Sequence, residues 1–188
     1  FFKLEKDQEA IAEFLREVDY RTVKFSSEMK RLRYLVEENF YYNIFDKYIE
    51  DEIVECLELA KNFKFEFKSY MAASKFYKDY ALKTNDKKQY LENFNQHVFI
   101  VAMYLGDGNT ALAKELMIAM LEQRLQPATP TFLNSGRSRR GELVSCFLLE
   151  VGDSLNSINY IDSTAKQLSK IGGGVAINLS KLRARGES

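Results

Sequence analysis

A chain of 188 residues with 46% hydrophobic and 29% charged side chains is long enough to bury a core of its own, in one or two domains. Its 27 basic and 27 acidic residues cancel, which excludes the strong positive field of a protein that wraps a nucleic-acid polymer, although local basic clusters could hold a single nucleotide. Two well-separated cysteines and one histidine cannot build a four-ligand metal site by themselves, nor a secreted disulfide framework, so a reducing, cytoplasmic setting is expected.

No apolar run reaches the ~20 residues that a bilayer span needs, no signal-peptide pattern is present, and no membrane partner is expected. The chain opens at Phe1-Phe2 without Met and closes on Arg185-Gly186-Glu187-Ser188, which reads as a loop. A piece of a longer protein is expected.

The first two thirds read as helix. Asp7 can cap a helix whose face is Ile11, Phe14, Leu15 and Val18. Ser26 to Tyr48 forms a second segment, with Met29, Leu32, Leu35 and Val36 followed by the aromatics Phe40, Tyr41, Tyr42 and Phe45. That cluster reads as helix–helix core with the tyrosine hydroxyls turned to water. Ile53, Cys56, Leu57 and Ala60 fall at i, i+3, i+4 and i+7, so Cys56 reads as a small buried hydrophobe. Phe63, Phe65 and Phe67 alternate with Lys64 and Glu66, a period of two that predicts a short extended piece.

Helix resumes over Ala72 to Leu82, and Thr84-Asn85-Asp86 marks a break. His97 precedes an apolar run to Met103 that fits a buried helix, and it has no partner residues nearby in sequence to make it a catalytic base. Gly106-Asp107-Gly108-Asn109 is a turn. Leu112, Ala113, Leu116, Met117, Met120 and Leu121 then form a stripe, which Pro127 ends.

At Pro127 the composition changes. Both prolines, Pro127 and Pro130, fall in the stretch PATPTFLNSGRSRRGELVSC, which ends at Cys146 and resembles the wall of a polar pocket. Glu142 to Val151 is a compact apolar run that predicts a strand buried on both faces, with Cys146 inside it beside Ser145. Asp153-Ser154 caps a helix through Leu155, Ile158, Ile161, Ala165 and Leu168, and Gly172-Gly173-Gly174 supplies its C-cap. Val175 to Leu179 reads as a second strand. The expected architecture is an α-helical domain over residues 1–125 followed by the start of an α/β domain over 126–188.

The chemistry concentrates in the second part. Thr129, Thr131, Asn134, Ser135, Ser138 and Ser145 crowd around Cys146, and buried hydroxyls require partners that a polar ligand can supply. The triple glycine offers unobstructed backbone N–H groups to a phosphate or sugar, though no Gly-Lys-Ser or Gly-Lys-Thr follows to make it a P-loop. Arg137, Arg139 and Arg140, and further on Lys181, Arg183 and Arg185, are candidate phosphate contacts. An inert core cysteine remains the alternative for Cys146.

PATPTFLNSGRSRRGELVSCFLLEVGDSLNSI and KIGGGVAINLSKLRARG closely resemble the large, catalytic subunit of class I ribonucleotide reductase, most strongly its class Ib branch. Nothing here is similar to a complete N-terminal ATP-cone of class Ia, which favours the same branch. The resemblance implies that the chain holds the first strands of a ten-stranded α/β barrel. It implies reduction of ribonucleoside diphosphates to 2′-deoxy products, begun by a thiyl radical on a finger-loop cysteine that takes the ribose 3′-hydrogen. Cys146 matches the first of two further cysteines that deliver reducing equivalents and end as a disulfide.

By the same resemblance Thr129, Ser145, Cys146 and Gly174 fall where the family contacts substrate, Thr129 near the diphosphate and Ser145 beside the ribose. Asp153 and Arg183 match positions of the site for a deoxynucleoside triphosphate or ATP effector. No cofactor or metal is expected on this chain. The implied partners are a small subunit carrying a dimanganese or diiron centre and a tyrosyl radical, a redoxin-type reductant and a second large subunit in a homodimer. The radical cysteine and the second redox cysteine are expected beyond Ser188, so the 188 residues alone are not expected to turn over. Two other readings stand beside this one: a helical interaction module with a non-catalytic nucleotide-binding loop, and a cysteine-nucleophile enzyme that lacks an evident base.

Overall fold

Apolar residues at helical spacing close into eight α-helices, joined by two parallel strands, in a computed structural model that describes residues 2–139 and 141–187, with side chains from Lys6 onward. Arg140, the third arginine of the first cluster, and Ser188 of the closing loop lie outside the described residues, as does Phe1. The chain divides into two compact units. One takes the residues up to Pro127 together with Phe132–Gly141; the other takes Ala128–Thr131 together with the residues from Glu142 onward. Residues 132–139 therefore group with the helices although they follow Gln126 in sequence. No described helix is long and apolar enough to cross a membrane.

The helical unit begins with α1 (Phe2–Tyr20). Asp7 lies inside this helix and does not cap it: its carboxylate accepts from the backbone N–H of Tyr70, at the start of α4 (Tyr70–Lys75), at 3.1 Å. The expected cap is therefore absent: α4 has its own N-cap in Ser69, and Asp7 adds a second acceptor at its start. The segment expected to run from Ser26 to Tyr48 is α2 (Glu28–Glu37), capped by Ser27, and it breaks at Asn39, whose φ of 59° is left-handed. In α3 (Glu50–Asn62) the predicted face of Ile53, Cys56, Leu57 and Ala60 is buried. Phe63, Phe65 and Phe67 are half-buried and alternate with exposed Lys64 and Glu66, the predicted period of two, without a strand partner.

The helix expected over Ala72–Leu82 changes character after α4, continuing as one π-helical turn over Phe76–Tyr80. Then comes α5 (Phe94–Gly106), opened by a reciprocal capping box: Asn93 accepts from the Gln96 N–H, and Gln96 accepts from the Asn93 N–H. All residues from His97 to Met103 are buried, which makes α5 the centre of the unit. The turn at Asp107 and Gly108 leads to α6 (Thr110–Leu121). This helix stops six residues before Pro127, where Gln123 adopts a φ of 58°. The proline is not its terminator.

The stretch from Pro127 is not all loop, because it contains the short helix α7 (Thr129–Asn134). In the second unit β1 (Cys146–Glu150) pairs in parallel with β2 (Gly174–Asn178), with Cys146 opposite Gly174, and α8 (Leu155–Lys170) connects them. This is the predicted strand–helix–strand unit. Gly172 ends α8 at a φ of 91°, and a side chain on Gly173 would stand 2.5 Å from the Phe147 ring, so glycine allows the closest approach of helix end and strand. β1 is shorter than expected and not buried on both faces. Leu148 is 85% exposed, and its neighbours Phe147 and Leu149 are half-buried, because two strands and one helix cover a single face.

Candidate functional site

Cys146 is the first residue of β1 and is exposed, contrary to its expected place inside a buried strand. The paired register begins at Cys146, opposite Gly174, and the thiol is exposed at that end of the sheet. Ser145 Oγ lies 3.7 Å from Cys146 Sγ, within the range of a weak sulfur hydrogen bond. Directly across the ladder stands Gly174, and its N–H donates to the Ser145 carbonyl at 2.6 Å. Ser145, Cys146 and Gly174 are thus one cluster at one end of the parallel pair. Their exposed faces carry a hydroxyl, a thiol and a bare Cα.

The triple glycine does not offer three free N–H groups. Gly172 N–H donates to Ser169, Gly173 N–H to Leu168 and Gly174 N–H to Ser145, so helix cap and ladder consume all three. The open phosphate nest read from sequence is thereby removed. Thr129 opens α7 and is exposed, while Thr131 Oγ1 donates to the Leu143 carbonyl at 3.0 Å, tying the helix to the approach to Cys146.

Asp153 and Arg183 meet: Nε of the arginine lies 2.9 Å from Oδ2 of the aspartate, with both side chains partly exposed. Lys181 pairs with Glu150. Arg139 and Arg185 are exposed. Arg137 is not a phosphate contact. It is buried, and both of its terminal nitrogens face Glu92.

That last pair belongs to a group the sequence reading missed. Glu92, fully buried, accepts from Arg137 on both oxygens, from the Tyr41 hydroxyl and from the Leu82 N–H at 2.8 Å. His97 Nδ1 lies 2.8 Å from Glu92 Oε1, so the histidine has a partner only five residues before it. The Tyr41 hydroxyl therefore points at a carboxylate, not at water. Burial alone would raise the Glu92 carboxyl, but the charges of Arg137 and His97 outweigh it and hold the group well below the usual carboxylate range. A Glu five residues before a His, at the mouth of an apolar helix, was the available signal.

The two thiols differ in the same way. Cys56 is buried, and its thiol is pushed up to about 11, chiefly by burial. Its burial is what its place in the apolar stripe predicted. Cys146 is exposed beside the Ser145 hydroxyl.

A helical unit followed by parallel strand, helix and strand is consistent with the start of an α/β barrel, and the Cys146 thiol stands at the head of its first strand. Comparison with known proteins is specific. Family models match in chain order: "Ribonucleotide reductase N-terminal" over residues 1–65, "Ribonucleotide reductase, all-alpha domain" over 66–140 and "Ribonucleotide reductase, barrel domain" over 144–188. The whole chain is 51% identical to the ribonucleoside-diphosphate reductase subunit alpha of Bacillus subtilis (strain 168), covering 27% of that protein. It is 50% identical to the ribonucleoside-diphosphate reductase nrdEB subunit alpha of Bacillus phage SPbeta, covering 17%. Over 182 residues, 96% of the chain, it is 41% identical to the corresponding subunit alpha of Mycoplasma pneumoniae (strain ATCC 29342 / M129 / Subtype 1), covering 25%. The chain belongs to the ribonucleotide reductase large-subunit family. It spans from 17% to 27% of the length of these relatives.

Proposed function

We propose that this chain is part of a class Ib ribonucleoside-diphosphate reductase large subunit, supplying one face of the site where ribonucleoside diphosphates become 2′-deoxyribonucleoside diphosphates. The observation that carries the reading is the exposed Cys146 thiol at the head of β1, facing Gly174 within the segment similar to the barrel domain. In the proposed reaction two thiols, Cys146 and a cysteine outside the 188 residues, give up two hydrogens and become a disulfide. The ribose C2′–O bond breaks, C2′ gains hydrogen, and the oxygen leaves as water. Enclosure by the completed barrel would keep water and oxygen from the sugar radical.

Within this reading Ser145 lies beside the ribose, Gly174 leaves room for it, and Thr129 contacts the diphosphate. Asp153 and Arg183 open their mutual ion pair to take an effector, a deoxynucleoside triphosphate or ATP: aspartate accepts a ribose hydroxyl and arginine meets phosphate. The initiating radical comes from a small partner subunit with a dimanganese or diiron centre and a tyrosyl radical. A redoxin-type protein restores the thiols, and the large subunits pair as homodimers in the cytoplasm. The helical domain is assigned residues 1–125 and the barrel start 126–188.

The test is Cys146→Ser in the full-length enzyme with its radical-supplying partner. Deoxynucleoside diphosphate formation is expected to vanish while deoxynucleoside triphosphate binding persists. Turnover at the wild-type rate would remove Cys146 from the reaction.

A further inference from the structure

His97 closes a chain of contacts whose far end is the helix that bears Thr129. Nε2 of His97 lies 2.8 Å from the Phe132 carbonyl, and a carbonyl oxygen can only accept, so this nitrogen carries the hydrogen whatever the charge of the ring. The other nitrogen is held between Glu92 Oε1 at 2.8 Å and Arg137 Nη2 at 3.0 Å. The ring orientation is therefore fixed, with Nε2–H directed at the Phe132 carbonyl. The imidazole also meets the Phe132 ring edge-on, with centroids 4.4 Å apart.

α7 needs such a fixture. A helix of six residues cannot support itself, and its last carbonyls have no partner within the helix. Phe132 O is among those carbonyls. The segment just after it is anchored independently. Gly136 O accepts from Tyr42 N–H at 3.0 Å, Ser138 N–H donates to Phe40 O at 3.1 Å, and a Cβ on Gly136 would stand 2.6 Å from Ile100 Cγ1. Those bonds hold residues 136–138. Within α7, His97 binds the backbone at Phe132, one turn from Thr129.

A buried ionic group is seldom the cheapest way to stabilise a helical core, since apolar residues of the same volume often serve as well. What this one provides is geometry: a carboxylate saturated by Arg137, Tyr41 and the Leu82 N–H, holding one imidazole nitrogen so that the other meets a single carbonyl.

We infer that His97, oriented by Glu92 and Arg137, is a positioning residue for substrate binding: its Nε2–H bond to Phe132 O sets α7 so that Thr129 meets the substrate diphosphate. This rests on the reading of Thr129 as a diphosphate contact. His97 touches no substrate. Its loss weakens binding without changing the chemical step.

The experiment measures KM and kcat for a ribonucleoside diphosphate, and deoxynucleoside triphosphate affinity, in the full-length enzyme with its partner subunit. His97→Leu is expected to raise KM about tenfold, the value of one lost hydrogen bond, with kcat and effector affinity within about threefold of wild type. His97→Gln keeps an amide donor at the reach of Nε2 and is expected to restore KM to within about threefold. His97→Asn is too short and is expected to behave like leucine. An unchanged KM in His97→Leu, or a glutamine variant no better than leucine, overturns the inference. So does failure of both the leucine and asparagine variants to fold, which assigns the group to stability alone. Thr129→Val separates the two layers. If it raises KM while His97→Leu does not, positioning falls and the site reading stands. If Thr129→Val leaves KM unchanged, the site reading itself falls.

Discussion

The helical unit and the α/β unit treat the same chemical groups in opposite ways. In the first, a carboxylate, a guanidinium, an imidazole, a phenol and a thiol are all buried, and all but the thiol are hydrogen-bonded to one another or to backbone. In the second, hydroxyl, thiol and ion pair sit at the surface of a two-stranded sheet, and α8 has no buried residue. Burial with full pairing fixes geometry but withdraws groups from reaction, whereas exposure leaves them available and ill-fixed.

The contrast is broken most severely at Arg137. Arg137→Ala leaves the Glu92 carboxylate buried without its cation, which is expected to cost about 3–5 kcal/mol in chemical denaturation. Pairing Arg137→Met with Glu92→Leu is expected to recover most of that loss, because no charge is then stranded. A double variant as unstable as the single one would show that shape, not charge pairing, holds segment 132–141.

Thiol reactivity comes next. At pH 8 a thiol raised to about 11 is ionised to about one part in a thousand, so Cys56 is expected to alkylate at least about a hundredfold more slowly than Cys146 until denaturant is added. Mass spectrometry of the two cysteine peptides along a time course reads this directly. Equal rates would remove the distinction between the units.

A third effect depends on pH. The Glu92 carboxyl is lowered in the folded state, so the stability it contributes is present above its unfolded value of about 4.3 and is lost as pH falls through the folded value. Wild-type stability is expected to decline by up to about 1.4 kcal/mol per pH unit on this group's account as pH drops from about 4. Glu92→Gln is expected to start lower at pH 7 and to lack that component. Parallel stability–pH curves for the two proteins would count against the assignment.

These effects also mark what the sequence could disclose. Local features were legible: the face of Ile53, Cys56, Leu57 and Ala60, the alternation of Phe63, Phe65 and Phe67, the turn at Gly106–Asn109, the cap at Ser154, and the strand–helix–strand order. Each is set by residues within a few positions of one another. What was misread depends on partners far along the chain. Asp7 serves a helix 63 residues away, Arg137 meets a carboxylate 45 residues before it, and Gly174 gives its N–H to Ser145 across the sheet. A side chain's type suggested its chemistry in each instance, but only the tertiary pairing showed that the capacity was already used. The exposure of Cys146 was missed for a related reason. An apolar run predicts burial, yet the strand begins only at its cysteine.

The smallest expected effect uses one device present in both units. Ser27 Oγ accepts from Lys30 N–H at 3.2 Å, and Ser154 Oγ accepts from Ser157 N–H at the same 3.2 Å. Replacing either with alanine removes one cap, worth about 1 kcal/mol of helix. The helix behind Ser27 buries Leu32 and Leu35 in the main core, so Ser27→Ala is expected to lower global unfolding stability by nearly that full amount. The helix behind Ser154 has only half-buried residues on its inner face, and its start is also braced by Ser157 Oγ accepting from Gly152 N–H at 2.8 Å. Ser154→Ala is therefore expected to leave global unfolding within about 0.3 kcal/mol while amide exchange over residues 155–160 accelerates, because an uncoupled helix frays locally. Identical global losses from the two substitutions would mean that α8 unfolds together with the helical core, and the two units would then be one cooperative structure.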